Sequence, residues 1–506
     1  KSKPGSVKEM NGWVGKILRV DLSKGEMKNE DLDPDFAKQY LGGRGFGVKV
    51  LLDEMDPKVD PFSPENKLIF ATGPSTGIAL AGSRYLVITK SPLTGFIGNA
   101  NAGGYFGPMM KFAGYDMIIF EGRSEKPVYL AVEDGDVTLR SATHLWGKNT
   151  VETEDIIKGD IGSPWKARET RVACIGPAGE RLVRFACIMN DKHRAAGRGG
   201  LGAVMGAKNL KAVSLWGRKS LSVASVEGFR KAYMEISESV AKHPRTSMDN
   251  PTSYANQGSP RSVGFCHPKG ISPYRNFRGG QNPQIEGIGP ETLMKTLFLQ
   301  KGSCFNCPIG CRRMTEVTLP GMEGEGQGPE YEAIALLGSS CDVNDLPAVA
   351  KASYLCNDLG MDTMDMGGTM ACAMELFERG YLSKEEVGCE LTFGNATAML
   401  ELITKTGLRE GFGNIMAEGG SRMAEKYGHP ELFMGVKKQG FAGYDPRAMK
   451  GMGLGYATSN RGACHCSTGI AAAEMSDTYS TEGKPAMLKK AQDIRAVIDS
   501  AGLCMR

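Results

Sequence analysis

The chain has 506 residues, enough for about three domains at roughly 150 residues each. Lys and Arg total 61 against 57 Asp and Glu, so a net charge of +4 leaves no global field for wrapping a polyanion, and 41% hydrophobic with 23% charged residues excludes a disordered chain. Glycine is in excess at 67 residues, nearly double the average usage of roughly 7%, so many backbone positions need a left-handed conformation or the close approach of another group.

Residues 1–215 read as a β-rich domain. Lys16–Leu22 alternates, and 67–71, 84–89 and 116–120 are short apolar strands bounded by Gly and Pro. Residues 128–132 and 137–139 flank Asp134-Gly135, a hairpin signal, and 171–175 and 210–215 continue the pattern. Beyond 216 the pattern turns helical. Asp345-Leu-Pro-Ala opens a helix with an Asp cap and Pro in its first turn, stopping at Gly360. Helices follow over 367–379, after the capping box Ser383–Glu386, over 396–406 and over 414–427, each closed by Gly. The fold expected is α+β: an N-terminal β-sheet domain, then helical domains over 216–425 and 426–506, the last reading as incomplete at its C-terminus. No apolar run reaches the roughly 18 residues of a membrane span. The 13 cysteines suit reduced thiols and a metal site in the cytoplasm better than a disulfide framework.

Cys304-Phe-Asn-Cys307-Pro-Ile-Gly-Cys311 is the sharpest local signal. Three thiolates within eight residues suit an iron–sulfur cubane, whose irons each need one soft ligand; a zinc site would pair two such elements, and none follows at that spacing. The fourth ligand must come from elsewhere, with Cys341, Cys356, Cys372, Cys464, Cys466 and Cys504 as candidates that spacing cannot separate. Two glycine-rich segments, 82–104 and 193–202, suit an anion. In 191–211 one acid, Asp191, meets five cations interleaved with small residues, so guanidinium forks and backbone N–H groups can meet phosphate. Neither segment is a P-loop or a Rossmann fingerprint. An exposed basic loop is the plain alternative.

Four motifs in this order resemble the aldehyde:ferredoxin oxidoreductase family of tungsten enzymes: Arg84…Asn101-Ala-Gly103, Arg194-Ala-Ala-Gly-Arg198, the Cys304–Cys311 run, and Asp499-Ser-Ala-Gly-Leu-Cys504. The likeness spans Gly12 to Cys504. It implies a β domain forming the base for a bis-pterin tungsten cofactor (molybdenum binds the same dithiolenes), closed over by two helical domains, with a [4Fe-4S] cluster on Cys304, Cys307, Cys311 and Cys504. It further implies that Arg84, Asn101, Gly103, Arg194, Ala195, Gly197 and Arg198 meet the phosphates and pterins, and that the backbone oxygens of Asn101 and Ala195 hold Mg2+ between the phosphates. Asp499 and Leu503 belong to one pterin-holding motif; the other reads Asn357-Asp-Leu-Gly-Met361, with an amide where an acid is expected. Arg447, Gly451 and Leu454 match further cofactor contacts. Glu332 matches the carboxylate beside the metal, and a carboxylate enclosed away from water can shuttle a proton near neutral pH; the plain alternative is an acid in a helix first turn.

Two departures from the family pattern stand out. Its active-site histidine aligns with Met452, which can neither donate strongly nor take a proton, leaving His465, Tyr456 and Lys450 as nearby substitutes. Its Glu-x-x-His iron site at a dimer interface reads Lys351-Ala-Ser-Tyr354, so a homodimer would lack the bridging iron. The implied reaction is oxidation of a small aldehyde to the acid, with electrons leaving through the cluster to a ferredoxin-like carrier and no nucleic acid or membrane involved. An electron-transfer subunit without its own catalytic metal is the alternative. A zinc-stabilised nucleic-acid binder would need aromatics among the basic residues, and 191–211 has none.

Overall fold

In a computed structural model of the chain, which describes residues 10–506, twelve strands form two six-stranded sheets. The first sheet takes the order β2-β1-β6-β3-β4-β5, from β1 (Lys16–Asp21), β2 (Glu26–Asp31), β3 (Leu68–Thr72), β4 (Tyr85–Lys90), β5 (Ile97–Ala102) and β6 (Met117–Glu121). The second takes the order β11-β10-β9-β12-β7-β8, from β7 (Val128–Glu133), β8 (Asp136–Ser141), β9 (Arg171–Cys174), β10 (Ile188–Asn190), β11 (Arg194–Ala196) and β12 (Leu210–Trp216). Only β1–β6 and β7–β12 pair in parallel among these neighbours.

The inner strands of each sheet are buried on both faces, while the outer strands β2 and β8 are largely exposed, which explains the continuous apolar runs. Phe70, Val87 and Phe120 face Leu130, Ala173 and Val213 across a shared core. The alternate residues Ile69, Ile88 and Ile119 pack on Phe46 and Val50 of the helix Gly43–Glu54, while Tyr129, Val172 and Ala212 cover Leu145 and Ile157 on the far side. Successive side chains of a strand point to opposite faces, so a strand buried on both sides shows no alternation. Every strand expected from sequence forms, and the hairpin turns at Asp134-Gly135 as expected. Helices between the strands make this part less purely β than its sequence suggested.

The two anion-suited segments are not simple loops. Asn99–Ala102 lies on β5, where Asn101 pairs with Leu86 of β4, and Arg194–Ala196 is β11, paired with β10. They are edge strands of the two sheets, and the edges touch each other.

The remainder is mainly helical. The helix Leu346–Leu359 stops at Gly360 in the left-handed conformation, as expected. The next begins earlier than expected, at Thr363, because the Asp362 side chain accepts from the amides of Met364 and Asp365. The helix expected over 414–427 is two, Gly413–Met416 and Gly420–Lys426; Gly419 at φ +91° breaks it, letting the Gly420 amide reach Thr369 Oγ1 at 3.0 Å. A three-stranded antiparallel sheet of β13 (Phe298–Gly302), β14 (Arg312–Val317) and β15 (Gly324–Gln327) had no clear sequence signal. Cys304–Cys311 is the connection between β13 and β14. Among the described residues, no helix is long and apolar enough to cross a membrane.

Candidate active site

A cavity of about 390 Å³ opens where the β5 and β11 edges meet the helical part. Eight arginines line it against four carboxylates, Glu330, Glu332, Asp362 and Asp499, so its field favours an anion. Of the residues expected from sequence, Arg84, Asn101, Gly103, Arg194, Ala195, Gly197, Arg198, Asn357, Asp499 and Glu332 all line it.

Behind three of the lining arginines lie the four cysteines. Arg84 Nη2 donates to Cys504 Sγ at 3.2 Å, Arg194 Nη2 to Cys304 Sγ at 3.2 Å and Arg506 Nη1 to Cys311 Sγ at 3.1 Å. Cys504 is tied to this place by its amide, which donates to Ala81 O. Burial raises the Cys304 and Cys504 thiols, but the arginine charges outweigh it. Arg194, Arg84 and the Gly104 amide pull Cys304 below its usual range, and Arg84 with Arg506 brings Cys504 to about 7. Burial dominates at Cys307 and pushes its thiol up. Gly103 has no room for a side chain: a Cβ there would lie 3.0 Å from Cys304 Sγ and 3.2 Å from Arg84 Cζ. Among the described residues, no three or more His, Cys, Asp or Glu side chains converge as on a single ion, as zinc would require with its bonds of about 2.3 Å to sulfur.

Asp499 is the centre of the next group. Its carboxylate accepts from Asn101 Nδ2 at 2.9 Å and from Arg44 Nη2, and forms an ion pair with Arg495 Nη2 at 3.0 Å. It sits near the end of the helix Lys484–Ala501, whose last turn lies directly on backbone: a Cβ at Gly73 would come within 2.1 Å of the Ala501 carbonyl carbon. Burial and the nearby Arg461 and Arg495 lower the Arg44 guanidinium, against the pull of Asp499. Arg44, Arg461 and Arg495 were not picked out from sequence. The run Gly42-Gly-Arg44-Gly45 and the i, i+4 spacing of Arg495 and Asp499 on one helix face carried the signal.

These guanidiniums are not saturated. Arg44 Nε, Arg194 Nε, and Arg495 Nε and Nη1 are buried without a hydrogen-bond partner. Unpaired buried donors cost free energy, and several aimed into one cavity fit a polyanion carrying phosphates. The residues present therefore fit a phosphate-bearing pterin cofactor. Arg198 differs: Nε and Nη2 bond Asp362 at 3.1 Å and Asp365 at 3.0 Å, and the carbonyls of Ala463 and Gly440 take the rest. Its fork is occupied by protein. Burial raises the Asp365 carboxyl, against the Arg198 charge.

On the cavity wall, Glu332 Oε2 accepts from the Gly443 amide at 2.7 Å. Its Oε1 is buried without a hydrogen bond and lies 3.5 Å from His465 Nε2. A π-helical turn, Ile334–Gly338, follows immediately, a distortion frequent at functional sites. Of the residues expected to stand in for the histidine that Met452 replaces, His465 is the one brought to Glu332. Met452 is fully buried on the helix Lys450–Thr458 with its amide toward Glu474, whereas the turn after Arg461 carries His465 across to Glu332. The Tyr456 hydroxyl is directed to Tyr444 O.

Arg447, Gly451, Leu454 and Leu503 are not among the lining residues. Arg447 is mostly exposed and bonded to Asp445 and Phe277 O. Gly451 lies against Glu474 and Ile470. Lys351 bonds Glu323 O at 2.7 Å and Tyr354 meets Thr315 at 2.5 Å, so both iron-site positions are taken up internally.

Residues 17–217 match the family described as aldehyde ferredoxin oxidoreductase, N-terminal domain, and residues 231–506 match aldehyde ferredoxin oxidoreductase, domains 2 and 3. The chain is 47% identical to a tungsten-containing aldehyde ferredoxin oxidoreductase of Pyrococcus horikoshii over 98% of its own length and 82% of the relative's. It is 44% identical, with the same coverage, to the enzyme of that description in Thermococcus kodakarensis. It is 32% identical to the WOR-like subunit of an aliphatic sulfonate oxidoreductase of Pyrococcus furiosus, over 82% of this chain and 68% of that one. Among solved structures, the active-site complex BamBC of benzoyl coenzyme A reductase with 1,5-dienoyl-CoA superposes with a TM-score of 0.81 at 27% identity, over 98% of this chain and 82% of that one.

Proposed function

The chain belongs to the aldehyde ferredoxin oxidoreductase family, and from that membership we propose how its residues serve the reaction. The protein is a tungsten-pterin oxidoreductase that oxidises an aldehyde, RCHO + H2O → RCOOH + 2 H+ + 2 e−, and passes the electrons to ferredoxin. An iron–sulfur subunit without a catalytic metal is thereby set aside.

Arg44, Arg194 and Arg495 would hold the cofactor phosphates with their unpartnered donors, and Arg461 adds its charge to the same cavity. Asp499 and Asn357 would meet the pterin rings, the backbone of Asn101, Gly103, Ala195 and Gly197 would let the cofactor come close, and Asn101 O and Ala195 O would be the oxygen donors for Mg2+. Arg198 stiffens the wall. When bound, the tungsten pterin supplies the two-electron change and polarises the carbonyl. Cys304, Cys307, Cys311 and Cys504 would hold a [4Fe-4S] cluster, which would supply one-electron transfer, and the arginine donors on three of the sulfurs stabilise their negative charge.

Glu332 Oε1 takes the proton released at the aldehyde carbon. The Gly443 amide fixes Oε2 and so aims the free oxygen into the cavity, and His465 Nε2 relays the proton onward. Bound aldehyde and cofactor exclude water from this part of the cavity, which strengthens both roles. The observation that carries this reading is the Glu332–His465 approach at 3.5 Å in a cavity whose opposite walls hold unpartnered arginine donors. A cytoplasmic site keeps the thirteen unpaired cysteines reduced, and any homodimer forms without a bridging iron.

The test is aldehyde-dependent reduction of ferredoxin by anaerobically purified protein, with tungsten, molybdenum and iron counted per chain. Reduction with tungsten near one per chain and about four irons is expected. Full tungsten without reduction across small aliphatic and aromatic aldehydes would refute it.

A further inference from the structure

We propose that Cys466 is a nucleophile that captures the aldehyde covalently as a hemithioacetal, an inference that rests on reading this cavity as the aldehyde site. Cys464-His465-Cys466 opens the short helix His465–Thr468 with Cys464 as its cap, and all three residues line the cavity. Cys466 Sγ lies 3.2 Å from His465 Nε2, and the same nitrogen lies 3.5 Å from Glu332 Oε1. The thiol is within hydrogen-bond reach of an imidazole nitrogen that can take its proton, the pairing that activates a cysteine nucleophile, and the Glu332 carboxylate beside the same nitrogen favours the imidazolium that results. The proton relay described above needs only Glu332 and His465, and the cluster takes its thiols from Cys304, Cys307, Cys311 and Cys504, so Cys466 is unassigned by either.

The environment of Cys466 sets it apart. A hydrogen bond from the Cys464 thiol and the Arg495 charge outweigh burial and hold it at about 6, while Cys464 itself is pushed up. Burial instead carries Cys174 and Cys266 to about 12, where thiols are inert packing groups. A thiolate facing a cavity that admits an aldehyde has an electrophile within its chemistry.

The steps balance. In capture, the Cys466 thiolate attacks, the sulfur–carbon bond forms and the carbonyl π bond opens, the proton that the thiol gave up passes from His465 Nε2 to the carbonyl oxygen, and no electrons change hands. Oxidation of the hemithioacetal then leaves an acyl thioester: its C–H proton goes to Glu332, its O–H proton to His465 Nε2, and its two electrons to the tungsten pterin of the activity proposed above. Water then adds, the carbon–sulfur bond breaks, and the carboxylic acid and the Cys466 thiol are released. The sum is the overall reaction already given.

Holoenzyme mixed anaerobically with acetaldehyde and quenched in acid within the first turnover should carry the mass of an acetyl group on the Cys466 peptide, removed by neutral hydroxylamine. Cys466→Ser should lower kcat/KM at least about 100-fold, the lower end expected for a group taking part in bond making, with tungsten and iron contents unchanged. The proposal falls, and the enzyme reading stands, if acetaldehyde turns over while Cys466 stays unmodified in every quench, whatever Cys466→Ser does. Acyl-Cys466 in the unsubstituted enzyme supports it even if the variant fails to fold. Tungsten-loaded enzyme that releases no electrons from any aldehyde removes the reading beneath it as well.

Discussion

Replacing Glu332 by Gln tests the proton-transfer assignment with little change of shape. In the native site the Gly443 amide donates to Oε2 at 2.7 Å, and Oε1 faces His465 Nε2 at 3.5 Å without a hydrogen bond. The amide oxygen of Gln can keep the Gly443 bond while its NH2 turns toward His465, so the fold and the aldehyde pocket stay in place; only the ability to accept a proton is lost. Groups of this kind contribute about 10²–10⁴-fold, or about 2.7–5.4 kcal/mol of barrier. Ferredoxin reduction at saturating aldehyde should therefore show kcat lower by that factor, with KM changed by less than about threefold. Tungsten and iron per chain, measured by plasma mass spectrometry, should equal those of the unsubstituted enzyme. Because Glu332 and His465 act as one relay, Glu332→Gln combined with His465→Asn should cost about as much as the worse single change, not the product of the two. A fall in kcat of less than about tenfold at full metal content would refute the role assigned to Glu332.

Other expectations follow from the same geometry. Asp499→Ala leaves Arg44 and Arg495 buried without their counter-ion, a loss of about 3–5 kcal/mol; tungsten and pterin recovered per chain should fall at least tenfold, and full tungsten occupancy would count against Asp499 as a holding residue. In cofactor-free chain, Arg84→Ala should let the Cys504 thiol rise from about 7 toward the ordinary value of about 8.5, slowing its alkylation at pH 7.5 roughly eightfold; an unchanged rate would refute the Arg84 contact. A thiol depressed on folding favours the fold above its unfolded value and loses that contribution as pH falls through the folded one. Cofactor-free chain should thus gain stability as pH rises from about 7 to about 8.5, and Arg84→Ala should flatten that rise in denaturant titrations. Gly103→Ala forces a methyl to 3.0 Å from Cys304 Sγ, so iron per chain should drop by about half or more, and unaltered iron and visible absorbance would show that the cysteine wall yields.

Much of the fold was legible because local rules and burial agreed. Ile69, Phe70 and Ala71, like Leu86, Val87 and Ile88, read as strands since both faces of these inner strands are covered, and the helix ending at Gly360 was bounded by its own proline and glycine. Cys304, Cys307 and Cys311 declared themselves by spacing. The edge strands β5 and β11 did not: Asn99-Ala-Asn101 and Arg194-Ala-Ala196 have no strand propensity of their own, and pairing with β4 and β10 makes them extended. The β13–β14 hairpin was hidden for a similar reason, since its strands are short and largely polar.

From the order of its residues alone, the chain specified an α+β fold, a soft-metal cysteine run, anion-suited glycine and arginine segments, and the oxidoreductase family to which it belongs. Each of these depends on neighbours within a few turns or on a pattern carried along the chain. Tertiary structure alone decided that Arg44 and Asn101 share the Asp499 carboxylate, that His465 rather than Met452 faces Glu332, and that Arg447 stays outside the cavity. Such contacts join positions more than a hundred residues apart, and they form only because two sheet edges and a helix end pack together on glycine backbone, where no local preference selects one partner over another.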